Sequence, residues 1–227
     1  MNPAISEQLY RRYFQALLEG DRTETGRIVR HLLDENIPVK DLYLDLFQRS
    51  LYRVGELWEE NRISVAREHL ATAVTEWLLS LVYPALFSKK PDGEEKERKK
   101  IVISCAANEY HQVGGKIVAD IFEMNGWDSY FLGADTPIDQ LLDFIEETDP
   151  DLVGLSLSVY FNLASLEEEI AAIRSNFPDL KLIVGGQAFR WGGTDTIEKY
   201  PRTEYISSLN DLEKSVPLDR LSETKFL

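Results

Sequence analysis

The chain is 227 residues long, 44% apolar and 28% charged, enough for one large domain or two smaller ones with real cores. A formal charge of −14 repels phosphate backbones and argues against direct nucleic-acid binding by the surface as a whole. One cysteine excludes an internal disulfide and a cysteine-based metal cage. No apolar run approaches the ~18 residues of a membrane helix, and the amino terminus lacks a basic-then-apolar signal, so a cytoplasmic protein is expected.

Residues 1–87 read as helix throughout. Leu9, Phe14, Leu17 and Leu18 recur at helical spacing between Ser6 and Gly20, and Ile28, Val29, Leu32 and Leu33 do so before Asn36-Ile37-Pro38. A third helix is predicted after Pro38, carrying Leu42, Leu44, Leu46, Phe47, Leu51, Val54 and Leu57. A fourth starts after the capping residue Ser64 and runs to about Phe87, with Pro84 kinking or closing it. Four apolar-striped helices with short connections imply a four-helix bundle. Residues 88–99 mix Lys89, Lys90, Lys96, Arg98 and Lys99 with Asp92, Glu94, Glu95 and Glu97 around Pro91 and Gly93, the composition of a solvated linker.

From residue 100 to 227 the pattern alternates. Strands are predicted at 100–104, 129–132, 152–158, 180–184 and 205–207, and helices at 111–125, 137–147, 163–177, 194–199 and 210–215. The expected fold is therefore an amino-terminal four-helix cap followed by a Rossmann-like (flavodoxin-like) domain, a parallel sheet of five strands with helices on both faces.

The chemistry falls at the carboxyl ends of strands, where open α/β sheets bind ligands. After the first strand comes Glu109-Tyr110-His111-Gln112-Val113-Gly114. A carboxylate two residues before a histidine fixes one ring nitrogen and leaves the other to face a metal, while Gly114 permits close approach of a bulky planar ligand. Standing alone, this is a surface-loop histidine. The third strand, however, ends in Ser156-Leu157-Ser158 and the fourth in Gly185-Gly186, so three features converge on one cleft.

Glu109-x-His111-x-x-Gly114, then Ser156, then Gly185-Gly186 resembles the signature of cobalamin-binding domains of the methionine-synthase type. The resemblance implies that the dimethylbenzimidazole tail leaves cobalt and enters the sheet domain. His111 becomes the lower axial cobalt ligand, Ser156 contacts the buried base, and Gly185 and Gly186 line the nucleotide tail. Glu109 replaces the family's Asp, and Ser158 stands where Leu is usual.

In the helical half, Trp58 and Glu68-His69 form a Trp-x9-Glu-His pattern similar to the cap of CarH-like cobalamin-dependent photoreceptor regulators. That resemblance implies that Trp58 and Glu68 cover the upper face of adenosylcobalamin and hold its adenosyl group. Those regulators carry a His after the Trp, and here the position is Glu59. No helix-turn-helix module precedes the cap, so control of transcription is expected to act through another protein. The readings are thus an adenosylcobalamin-binding sensory or regulatory module, or a corrinoid carrier presenting methylcobalamin to separate methyltransferases. Hydroxocobalamin is a further form to consider. A plain nucleotide-binding domain fares poorly because no Gly-x-Gly-x-x-Gly follows the first strand. Cys105, Trp77 and Trp127 read as packing residues and His31 as a surface one. Trp191 reads the same way, though close enough to the Gly pair to border the tail.

Overall fold

A computed structural model describes residues 5–86 and 98–215. It divides into two compact units, Met1–Lys90 and Pro91–Leu227.

The first unit is helical. Ser6 Oγ accepts the Leu9 N–H to start α1 (Glu7–Glu19), and Gly20 ends it in the left-handed region at φ 74°. Asp21 caps α2 (Arg22–Asp34) by accepting the Glu24 N–H. After Pro38, a helical turn α3 (Val39–Asp41) leads through a π-helical stretch, Leu42–Gln48, into α4 (Arg49–Glu59). The sequence predicts one regular helix here. The wider π turn buries Leu42, Tyr43, Leu46 and Phe47, the same positions an α-helical stripe would turn inward. Ser64 Oγ then accepts the Arg67 N–H near the start of α5 (Val65–Leu86), and Pro84 sits in its last turn. Helix α5 packs against α1, α2 and α4, with Ala71, Val74, Leu78 and Val82 fully buried. Gly26 on α2 admits Trp77, whose ring comes within 2.6 Å of where a Cβ would stand.

The second unit is a five-stranded, wholly parallel sheet: β1 (Lys100–Cys105), β2 (Asp128–Gly133), β3 (Leu152–Ser156), β4 (Lys181–Gly185) and β5 (Thr203–Ile206), in the order β2-β1-β3-β4-β5. Between them run α6 (Val113–Met124), α7 (Ile138–Thr148), α8 (Leu163–Asn176) and the single turn α9 (Thr194–Ile197), with α10 (Leu209–Ser215) at the end. This is the doubly wound fold expected. The central strands β1 and β3 are buried nearly end to end, as a sheet covered on both faces requires. Strand order reverses between β1 and β3, and the loops beyond their carboxyl ends flank the switch-point crevice. Strand β3 ends at Ser156, short of the predicted Ser158, because beyond Leu157 the Ser158 and Val159 amides turn toward a side chain of the neighbouring loop. Residues 88–97 of the expected linker, like those after 215, lie outside the described residues.

Candidate functional site

Register places the site. Cys105 pairs with Ser156, and Ser156 with Gly185, so the ends of β1, β3 and β4 form one rung at the carboxyl edge of the sheet. The β1–α6 loop (106–112) is fastened to its surroundings at successive residues. The Ala106 N–H donates to the Ser156 carbonyl, the Ala107 N–H to Glu169 Oε1 and the Asn108 N–H to Asp135 Oδ1. Asn108 adopts the left-handed conformation, φ 64°, which Asn tolerates better than most residues.

Glu109 follows and is fully buried. Its Oε2 accepts the N–H groups of Ser158 (2.9 Å) and Val159 (2.8 Å). Its Oε1 accepts the His111 N–H at 2.9 Å and faces His111 Nδ1 at 2.6 Å. Burial alone would raise this carboxyl, but the His111 ring and the three backbone donors outweigh it and hold it below the usual carboxylate range. An ionised carboxylate only accepts, so Nδ1 must carry the proton; in the neutral ring Nε2, on the opposite side, is then the lone-pair nitrogen. The His111 side chain is 44% exposed while its partner is sealed. The result is a histidine of fixed tautomer and orientation at the crevice. Because the folded chain keeps Glu109 ionised where an unfolded chain would be protonated, its contribution to stability is complete above the ordinary value of 4.5. That contribution is lost as pH falls through the lower folded value. Glu109→Gln removes the charge and the enforced tautomer, so that if the His111 ring ligates a metal, its affinity is expected to fall roughly 10- to 100-fold, read by titration with the metal or its complex.

Ser156 is almost fully buried, and its Oγ lies 3.9 Å from where a Gly114 Cβ would stand, so Gly114 opens the space in front of the hydroxyl. Gly115 instead packs tightly under Phe131 and Cys105. Ser158 reaches Glu109 through its backbone N–H, a role the Ser-x-Leu comparison does not anticipate. A Cβ on Gly186 would meet the Leu157 carbonyl oxygen at 2.0 Å, so this glycine serves strand-to-strand closeness. Cys105 is buried, and its thiol is pushed up to about 12 chiefly by desolvation, then by the charges of Glu109 and Glu169. Around the crevice, Tyr110, Tyr160, Phe161 and Trp191 are exposed on three loops, Phe161 at 95%. Trp127 is a packing residue, edge-on to Phe122, and His31 is exposed.

In the helical unit, Trp58 lies in the last turn of α4 and Glu68 in the first turns of α5, at the two sides of one short connection. Trp58 is exposed. Glu68 is mostly sheltered, with Oε1 accepting the Thr72 hydroxyl at 3.0 Å and Oε2 2.5 Å from His69 Nδ1. His69 itself is exposed, as is Glu59. Glu169, Asp135 and Asn162, which brace the histidine loop, were not among the residues the sequence singled out. The signal for Glu169 was present, since it shares a helical face with Leu166, Ile170 and Ile173.

A doubly wound domain with one carboxylate-oriented histidine at its switch point, joined to a helical unit, defines a class of cofactor-holding modules. A B12 binding domain model matches residues 99–206, and a second B12 binding domain model matches residues 9–82. The chain belongs to this B12-binding family, and its cofactor is a corrinoid. It is 32% identical over 194 residues to the HTH-type transcriptional repressor CarA of Myxococcus xanthus, covering 82% of this chain but only 60% of that protein. It is 23% identical over 188 residues to trimethylamine corrinoid protein 1 of Methanosarcina acetivorans, covering 81% of this chain and 85% of that one. The solved monomethylamine corrinoid protein of Methanosarcina barkeri shares the fold, with a TM-score of 0.78 at 14% identity, covering 95% of this chain and 99% of that one. No described helix is long and apolar enough to cross a membrane.

Proposed function

We propose that the protein binds cobalamin base-off with His111 Nε2 as the lower axial cobalt ligand, and that it works as an adenosylcobalamin-responsive regulatory module. The observation that supports the ligation is the Glu109–His111 contact of 2.6 Å, which fixes the ring and its Nδ1–H in the arrangement a metal-bound imidazole uses. The residues fit a corrinoid. Gly114 leaves space beside the Ser156 hydroxyl for the displaced base, while Gly185 and Gly186, which the resemblance assigns to the tail, are closed against Ile206 and Leu157. When bound, the corrinoid supplies a cobalt that forms and breaks an upper cobalt–carbon bond. Ser158 acts through its N–H to Glu109 rather than through its hydroxyl. In the helical unit, Trp58 offers an exposed indole and Glu68 a carboxylate already oriented by Thr72 and His69, groups suited to an adenosyl group and its ribose hydroxyls.

With Glu59 where light-responsive relatives carry histidine, loss of the adenosyl group leaves no imidazole at that position to take its place. The protein partner of the regulatory reading is a transcriptional or other regulator. The second reading is a methyl carrier whose partner is a methyltransferase, and it is favoured by the 85% coverage of a corrinoid protein.

Reconstitution with adenosyl-, methyl- and hydroxocobalamin, with spectra in darkness and after illumination, separates the two. For the regulator, adenosylcobalamin binds tightest and Trp58→Ala or Glu68→Ala weakens it roughly 10- to 100-fold, as for truncation of a central aromatic contact. Equal or tighter binding of methylcobalamin, with no effect of either substitution, overturns the regulatory reading in favour of the carrier.

A further inference from the structure

The loop that presents His111 rests on a carboxyl that the cofactor reading does not use. Glu169 on α8 is fully buried. Its Oε1 accepts the Ala107 N–H at 2.8 Å, and its Oε2 has no hydrogen-bond partner among the described residues. On its own helix it shares a face with the buried Leu166, Ile170 and Ile173. Among the described residues, the titratable groups around it and its loop include Cys105 on β1, Glu109 and His111 on the β1–α6 loop and Asp135 beyond β2. No Lys, Arg or His pairs with it among the described residues.

The two buried carboxyls behind the loop therefore live in opposite circumstances. Glu109 is surrounded by four N–H groups and ionised. Glu169 has one donor and an orphaned oxygen, an arrangement that penalises charge and favours the neutral acid. Carboxyl pairs whose environments drive them apart mark the proton-handling points of a site.

We propose that Glu169 is a positioning residue for the cobalt ligand: by gaining or losing one proton it changes how the Ala107 amide is held, and so how the loop presents His111. The inference rests on the cofactor reading and adds a means of regulation to it. A neutral carboxyl accepts only a modest hydrogen bond. Ionisation strengthens that bond but strands charge on the unpaired oxygen, which must draw in water or shift. Ala107 lies two residues before Glu109, and the peptide between them is pinned at Asn108 by Asp135 and, through its carbonyl, by Asn162, so a displacement at Ala107 is passed along a taut segment.

Desolvation pushes Glu169 up to about 7, opposed only by the Ala107 bond. The sign for stability follows: between the ordinary 4.5 and about 7 the native chain holds a proton the unfolded chain has released. Stability thus falls as pH rises through that window and levels off above it.

The test begins on the cofactor-free protein by NMR, following the Ala107 amide and the Glu169 carboxyl carbon across about pH 5–9, a range spanning ordinary and raised carboxyls. The two signals are expected to move together with one midpoint near 7, and the Ala107 movement is expected to vanish in the near-isosteric Glu169→Gln. A Glu169 carbon titrating at the ordinary value, or an Ala107 movement that persists in Glu169→Gln, overturns the proposal; the wild-type carbon alone decides if the variant does not fold. With hydroxocobalamin bound, the wild-type visible spectrum is expected to change with the same midpoint and the Glu169→Gln spectrum to lose it. An unchanged spectrum in His111→Ala defeats axial ligation itself. A spectrum altered in His111→Ala, but with identical pH profiles in wild type and Glu169→Gln, defeats the role of Glu169 alone.

Discussion

His111→Ala is expected to leave bound cobalamin without its lower protein ligand, shifting the visible spectrum toward a water-ligated, base-off form. Affinity is expected to fall further than in Glu109→Gln. Removing an outer partner of a metal-bound histidine already costs about 10- to 100-fold, and the ligand itself carries more. The substitution is mild for the fold: the side chain is 44% exposed, and its removal takes from Glu109 one of four N–H donors. The apo protein should therefore unfold within about 1 kcal/mol of wild type, as for the loss of one hydrogen bond. A wild-type spectrum in His111→Ala would refute ligation by this nitrogen, and a collapsed apo protein would show that the imidazole is a structural prop. Comparing the pH dependence of the two proteins adds a check. With the ring gone, Glu109 loses the strongest interaction holding it ionised, so its titration moves upward and acid unfolding begins at higher pH.

The elements nearest this histidine were also the most legible in the chain. Five strand-like runs alternating with helical ones define a parallel sheet, and the carboxyl ends of β1, β3 and β4 are where the Glu-x-His, Ser and Gly-Gly features fall. Local pattern carries such information because strand and helix have different periods. It carries little about backbone amides aimed at a distant side chain. Ser158 looked like a hydroxyl that had replaced a leucine, yet its N–H is what the site uses, bonding a carboxylate 49 positions away in the sequence. Glu169 stands in a run of three glutamates that the motif reading passes over. Its spacing from Leu166, Ile170 and Ile173 marks the inward face, and the placement of α8 against the β1–α6 loop gives that carboxyl its one donor. The π-helical stretch was hidden for a related reason, since Leu42, Leu46 and their neighbours satisfy an α-helical stripe well enough to mask the wider turn.

Gly186→Ala is expected to damage the sheet unit more than any other single methyl added at the site. The residue sits at φ 127°, where side chains are strained, and its new Cβ would stand 2.0 Å from the Leu157 carbonyl oxygen and 2.7 Å from its carbon. Neither strand can easily give way. The Leu157 N–H is bonded to the Gly185 carbonyl at 2.9 Å, and the Ala188 N–H to the Leu157 carbonyl at 3.2 Å. Strain of about 1–3 kcal/mol from the backbone, added to a comparable overpacking term, predicts a loss of roughly 3 kcal/mol or more. That corresponds to a fall of roughly 10 °C in the unfolding temperature of the apo protein. Gly114→Ala is the informative contrast. Its Cβ would meet only Ser156 Oγ, at an ordinary 3.9 Å, in a helix where alanine is favoured over glycine by about 1 kcal/mol. Apo stability should hold or rise while cobalamin binding weakens, because the methyl enters the space beside the hydroxyl. If the two variants behaved alike in both measurements, the separation drawn between a glycine that knits two strands and a glycine that admits the cofactor would be wrong.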